Sequence, residues 1–157
     1  MKNHHAFLCI LFAFATLAVS AQAQDKLPLN EPDYTKPRLF SRLPESIPVT
    51  AARADEIIHS PAGRISQFSL DEAGKVQVDG EVVSAASKYN NTIQSVVIRT
   101  SQFEGARLTL SRIVLADGKI KYTGRIISFQ HGDLYVLEEK EGQLSFVRKT
   151  YYELINE

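Results

Sequence analysis

One cysteine, one methionine and no tryptophan occur in 157 residues, and the charges cancel, with 18 Lys and Arg against 18 Asp and Glu. Each scarcity removes a class of function. Cys9 lies inside the apolar run from Ala6 to Val19, so residues 24–157 hold no thiol for a disulfide, a nucleophile or a metal. With no excess of either sign there is no general electrostatic reason to bind nucleic acid or an anionic membrane. H-E-x-x-H, G-x-S-x-G, S-x-x-K and a glycine-rich phosphate loop are all missing. Past residue 23 the histidines reduce to His59 and His131, and zinc needs three or four ligands. These gaps predict no enzyme, no cofactor and no metal.

What the chain does have begins at its front. Lys2 precedes the apolar run, and small residues stand at Ala21 and Ala23. That order predicts a secretory signal peptide over 1–23, hence export to the periplasm or the extracellular space. The run is shorter than the roughly 20 residues a bilayer span needs, so no transmembrane anchor is expected in the mature chain.

Five of the six prolines fall within residues 24–48. Proline removes backbone donors and restrains the residue before it, so this stretch reads as an extended arm that stays out of any regular sheet. Leu39, Phe40, Leu43 and Ile47 predict that its second half packs on the domain that follows, 49–157. Residues 50–59, TAARADEIIH, read as one short helix: Thr50 can cap, Ala51, Ala54 and Ile58 share a face, and Pro61 follows the end. His59 then sits in the last turn, where a cation suits the helix dipole.

From Gly63 onward proline is absent, and short apolar runs alternate with glycine or acidic turn signals. Strands are expected at 64–70, 75–83, 92–100, 106–115, 119–129, 133–139 and 143–152. The fold class is therefore mainly β, a small antiparallel meander forming a sandwich or an up-and-down barrel, with one short N-terminal helix. A two-residue turn at Asp117-Gly118 sets Leu115 opposite Ile120 and Ile113 opposite Tyr122. One at His131-Gly132 sets Ile127 opposite Val136, Ile126 opposite Leu137 and Arg125 opposite Glu138. One at Glu141-Gly142 sets Leu137 opposite Phe146 and Val136 opposite Val147. Followed across the strands, these registers collect Ile113, Leu115, Ile120, Tyr122, Ile126, Leu137, Leu144 and Phe146 on one core face. Leu108, Ile127, Phe129, Leu134, Val136 and Val147 fall on the other.

Few residues stand out as sites. His131 reads first as a turn residue at positive φ, and a histidine enzyme would have to be built on His59 or His131. Asn90-Asn91-Thr92 matches a glycosylation acceptor, and SKYNN reads more simply as a polar turn. The basic residues between Arg99 and Arg125 are expected to pair with the acidic group at 133–141 across neighbouring strands. The leading expectation is an exported β-domain that binds an extracytoplasmic protein or envelope component non-covalently. Its contacts would be the arm at Phe40, the end at Tyr151 and Tyr152, or a free sheet edge. The alternative is a lipocalin-like carrier of a small apolar ligand, in a pocket lined by residues such as Tyr122, Phe129 and Phe146.

Overall fold

The structure is a computed structural model that describes residues 35–150. The expected signal peptide, the first part of the arm, Tyr151 and Tyr152 lie outside the described residues.

The helix forms where its capping residue and apolar spacing put it. It runs over Ala51–Ile58 (α1), and the Thr50 hydroxyl, on extended backbone, accepts the Arg53 N–H at 3.3 Å. Such a cap contributes about 1 kcal/mol. Ala54, Ile57 and Ile58 form the buried face, and His59 closes the C-terminal end.

Seven strands follow as a meander: Ile65–Ser69 (β2), Gln77–Lys88 (β3), Ile93–Thr100 (β4), Arg107–Val114 (β5), Ile120–Ser128 (β6), Asp133–Lys140 (β7) and Gln143–Thr150 (β8). An eighth strand, Ser46–Val49 (β1), contains a proline and was not expected to enter the sheet. It pairs with β8, with Ile47 opposite Phe146 and Val49 opposite Leu144. The proline is tolerated because of its parity. The Arg148 N–H bonds to the Glu45 carbonyl, so by alternation Ile47 and Val49 bond inward and the nitrogen of Pro48 faces away from the sheet.

All eight strands make one sheet, in the order β1-β8-β7-β6-β5-β4-β3-β2. It curls into a half-barrel, and β1 and β2 are its two edges. The helix joins those edge strands and lies in the concave side against β4 and β5. Ile47, Val82, Ile98, Leu108, Leu110, Ile126, Tyr135 and Phe146 are all at most 1% exposed there, packed with the buried face of α1. Burying each large apolar side chain stabilises by about 1.5–3 kcal/mol.

The three expected hairpins fare differently. At Glu141-Gly142 both residues take positive φ, 53° and 77°, and Leu137 stands opposite Phe146 as expected. At Asp117-Gly118 the loop is one residue longer, closed by the Leu115 N–H on the Lys119 carbonyl at 2.8 Å, with Gly118 at φ +82°. Val114, rather than Leu115, therefore faces Ile120, and Arg112 faces Tyr122. A slip of one residue exchanges the faces of a strand. Leu108 accordingly joins the concave core, Ile113 moves to the convex side, and Leu115 and Ile120 are left 42% and 44% exposed.

At His131-Gly132 the shift is two residues, with residues 129–132 in the loop, Ile127 opposite Leu134 and Arg125 opposite Val136. A slip of two keeps each face: Ile126 and Leu137 stay concave, Ile127, Leu134 and Val136 convex. Arg125 does not meet Glu138, whose carboxylate takes Lys149 at 2.7 Å and Lys140 at 3.0 Å instead. Positive φ in this loop belongs to Gly132 and not to His131.

His131 has another use, which is to hold the arm. Its Nδ1 meets the Pro37 carbonyl at 2.8 Å, Arg38 donates to the Gly132 carbonyl, and the Leu39 N–H donates to buried Asp133 Oδ2 at 2.7 Å. Beyond this clasp Phe40 enters the core edge-on to Phe103, with centroids 5.1 Å apart, and lies 5.7 Å from the ring of Tyr135. Leu39 and Leu43 pack partly against the same core, as their apolar character implies.

Candidate functional site

The sheet has more edge than its two end strands. β2 pairs with β3 only from Gln77 to Glu81, while β3 runs on to Lys88 with β4 alone at its side. The two are separated by a bulge between Val82 and Ser84, and the Gly63 N–H and Arg64 carbonyl close the β2 pairing on Val82. From Val83 to Lys88 every residue is exposed. No described strand pairs with the outer side of this half of β3.

Which backbone groups are free follows from alternation. The Val114 N–H bonds to the Thr92 carbonyl, so even-numbered β4 residues bond toward β5 and odd-numbered ones toward β3. Ser84, Ala86 and Lys88 stand opposite Val97, Ser95 and Ile93 and are thus tied inward. Ala85 and Ser87 point their N–H and C=O groups out of the sheet. Alanine and serine side chains leave that backbone open to approach.

The edge at β1 is guarded, since Pro48 occupies an outward position on a strand of four residues. At β2, Arg53, Glu56 and Ser60 line a small cleft with Gln67 and Ser69, while Ile65 is 80% exposed. Natural sheets blunt their edges with prolines, short strands, bulges, lysines or covering elements; the outer half of β3 has a bulge between Val82 and Ser84 and Lys88 at its end, and no proline or covering strand among the described residues.

The concave side next to this edge is polar. Asp55 on α1 accepts the Tyr122 hydroxyl at 2.9 Å and lies 3.5 Å from Arg112 Nε. Burial, then the hydrogen bond to the Asp55 carboxylate, hold the Tyr122 phenol above its ordinary pKa. Arg112 reaches Gln94 Oε1 at 3.5 Å, and the Gln94 amide meets His59 Nε2 at 3.3 Å. His59 Nδ1 lies 2.7 Å from the Asp55 carbonyl, which only a protonated Nδ1 can satisfy, so Nε2 is the acceptor for Gln94. This chain of contacts fixes α1 to β4, β5 and β6. At the two ends of the open half of β3 stand apolar groups with little cover: Val83, at the bulge, is 40% exposed and Tyr89, at the β3–β4 turn, 75%. Tyr89, Asn90 and Asn91 all take φ between 52° and 66°, a left-handed run of three without glycine.

The sequence-derived candidates scatter. Tyr122 is on β6, three strands in from the open edge; Phe40 is 1% exposed and serves the docking of the arm; Phe129 is in the β6–β7 loop; Phe146 is in the core. His59 and His131 belong to opposite ends of the meander, and no cluster of three or more metal-ligating side chains occurs among the described residues. A groove of about 600 Å3 opens where Pro48–Ala51, Asp71–Ala73 and Gly142–Leu144 meet, and it contains none of Tyr122, Phe129 and Phe146. The free half of β3 escaped sequence reading because KVQVDGEVV was expected to stop at Val83. Ser84–Lys88 is small and polar, and β propensity alone does not extend a strand through it.

No protein-family model, curated protein or solved structure matches this chain.

Proposed function

We propose that this is an exported domain that works by non-covalent binding, taking an extended segment of an extracytoplasmic protein or envelope component as an added strand. The observation that carries this reading is the outer half of β3, where Ala85 and Ser87 present backbone donors and acceptors that no described strand uses. Main-chain hydrogen bonds to such an edge supply affinity, and flanking side chains supply selectivity. Val83 and Tyr89 at its two ends give the apolar contact that hydrogen bonds alone lack.

Two further observations support binding over the alternatives. The histidines of an enzyme reading are separated, each with a ring nitrogen against a backbone carbonyl. The groove at Pro48–Ala51 and Gly142–Leu144 is lined by none of the residues of a carrier reading, and Phe146 is closely packed.

A photo-reactive residue at Ser87, compared with one at exposed Glu104 on the β4–β5 loop, tests the reading in the native host. Cross-linking to a protein from Ser87 and not from Glu104 is expected; equal or no cross-linking overturns it. Native mass spectrometry of protein from the same host reads the carrier alternative: a retained small-molecule mass would replace the strand-addition reading.

A further inference from the structure

We infer that the groove between Pro48–Ala51, Asp71–Ala73 and Gly142–Leu144 is a binding site of its own, which takes a small primary amine with an apolar body in its protonated form. The groove shares no residue with the open half of β3, so this site is independent of strand addition.

Size and lining set the class of ligand. At about 600 Å3 the groove has the volume of a small-molecule site. Val49 and Leu144, paired in register and both buried, give it an apolar wall that Pro48 and Ala51 continue. No lysine, arginine or histidine lines it, whereas Asp71 and Glu72 both do. The first turn of α1 contributes the partial positive charge of a helix N-terminus, about half a unit, against two full carboxylate charges. The groove is therefore negative and disfavours an anion.

Asp71 is the anchor. It is only 8% exposed, and its Oδ1 accepts the Val76 N–H at 2.9 Å. Among the described residues Oδ2 has no hydrogen-bond or ion-pair partner, and Glu72 forms no ion pair. A nearly buried carboxylate oxygen beside an apolar wall gains most from a charged donor. Pro48 adds an acceptor, because its carbonyl, like its nitrogen, is turned away from β8. These acceptors suit the three N–H donors of a primary ammonium. A quaternary ammonium is held against aromatic faces, and no aromatic ring lines the groove.

NMR titration of the isotope-labelled protein at neutral pH tests the site with hexylamine, hexanoic acid and hexanol. Hexylamine should shift the amides of Thr50, Asp71–Ala73 and Gly142–Leu144, and should bind roughly tenfold more tightly than the acid or the alcohol. Octylamine should bind more tightly still, by about fourfold per methylene that the groove covers. Asp71→Asn keeps an oxygen for the Val76 N–H while removing the charge, and should weaken hexylamine roughly tenfold. Glu72→Gln, at an exposed position, should weaken it as well, whereas Glu104→Gln on the β4–β5 loop should not. Ala73→Phe fills the groove from an exposed position and should abolish binding, which keeps the site testable even where Asp71→Asn fails to fold.

Hexanoic acid or hexanol binding as well as hexylamine overturns the site, and so do amide shifts that lie elsewhere or persist unchanged in both Glu72→Gln and Ala73→Phe. Pro48, Glu72, Ala73 and Gly142 are exposed, so the groove is open and its ligand exchanges on purification. Its occupancy is thus distinct from the mass that an enclosed carrier would retain, and the Ser87 cross-link reads strand addition separately.

Discussion

Arg148 on β8 donates from Nη2 to the Phe40 carbonyl at 2.8 Å, across 108 positions of sequence. The same nitrogen serves the Leu43 carbonyl, and Nη1 lies 3.3 Å from Glu45. One guanidinium thus gathers the arm and holds it against Tyr135, whose hydroxyl donates to the Pro44 carbonyl at 2.6 Å. Charge-assisted bonds of this kind contribute more than neutral ones.

Arg148→Met takes from the Leu43 carbonyl its guanidinium donor and leaves the Phe40 carbonyl with the Leu43 N–H alone. We expect a loss of about 2–4 kcal/mol in urea unfolding, together with faster protease cleavage between residues 35 and 45. An unchanged midpoint would mean that Phe40 and the bonds of Arg38, Leu39 and His131 hold the arm without Arg148.

Gly124 on β6 faces the core where β5 crosses closest. A Cβ there would lie 2.8 Å from the Thr109 carbonyl oxygen and 2.9 Å from a Leu110 methyl. Gly124→Ala should therefore cost about 1–3 kcal/mol. Gly118→Ala meets nothing within 4 Å and is strained only by its φ of +82°, so its cost should be smaller, about 1 kcal/mol. Thermal denaturation of the two variants separates close approach from backbone strain.

Tyr122 and Tyr135 both have phenols raised above the ordinary value, chiefly by burial. A raised folded pKa means that this contribution to stability is complete below about pH 10, where the unfolded tyrosines begin to ionise. It is lost as pH rises through the folded values. Stability should fall above pH 10, and Tyr122→Phe should make the fall shallower while costing about 1 kcal/mol at neutral pH for the lost Asp55 bond. A pH series of unfolding midpoints reads both effects.

Tyr89 holds a left-handed conformation that costs an ordinary residue about 1–2 kcal/mol. Tyr89→Gly should raise the stability of the isolated chain by about 0.5–1 kcal/mol, part of the relief being offset by the freer unfolded state. Calorimetry of the two proteins reads the difference.

The helix was legible because three local signals agreed, the Thr50 cap, the Ala54 and Ile58 spacing and the Pro61 stop. Of the hairpins, Glu141-Gly142 was read correctly because both residues accept positive φ and no neighbouring polar group competes. Asp117 does compete: its Oδ1 accepts the Lys119 N–H at 3.0 Å and supports the longer loop. The His131 loop is drawn out by its bonds to the arm, a tertiary contact that local sequence does not announce. β1 was missed for a related reason. A proline forbids only one side of a strand, and which side faces the sheet depends on a partner some hundred residues away. The open half of β3 was missed because nothing in Ser84–Lys88 is apolar enough to mark a strand.

That distance between β1 and β8 also orders events in time. The hairpins from β3 to β8 close over short loops, whereas seating Phe40 and Ile47 closes one of about a hundred residues, at greater entropic cost. We expect the arm to dock after the barrier to folding is crossed, so that in stopped-flow measurements substitutions in it change the rate of unfolding far more than the rate of folding. The clasp at Arg148 and His131 would then set how long the folded chain lasts, and the meander how fast it forms.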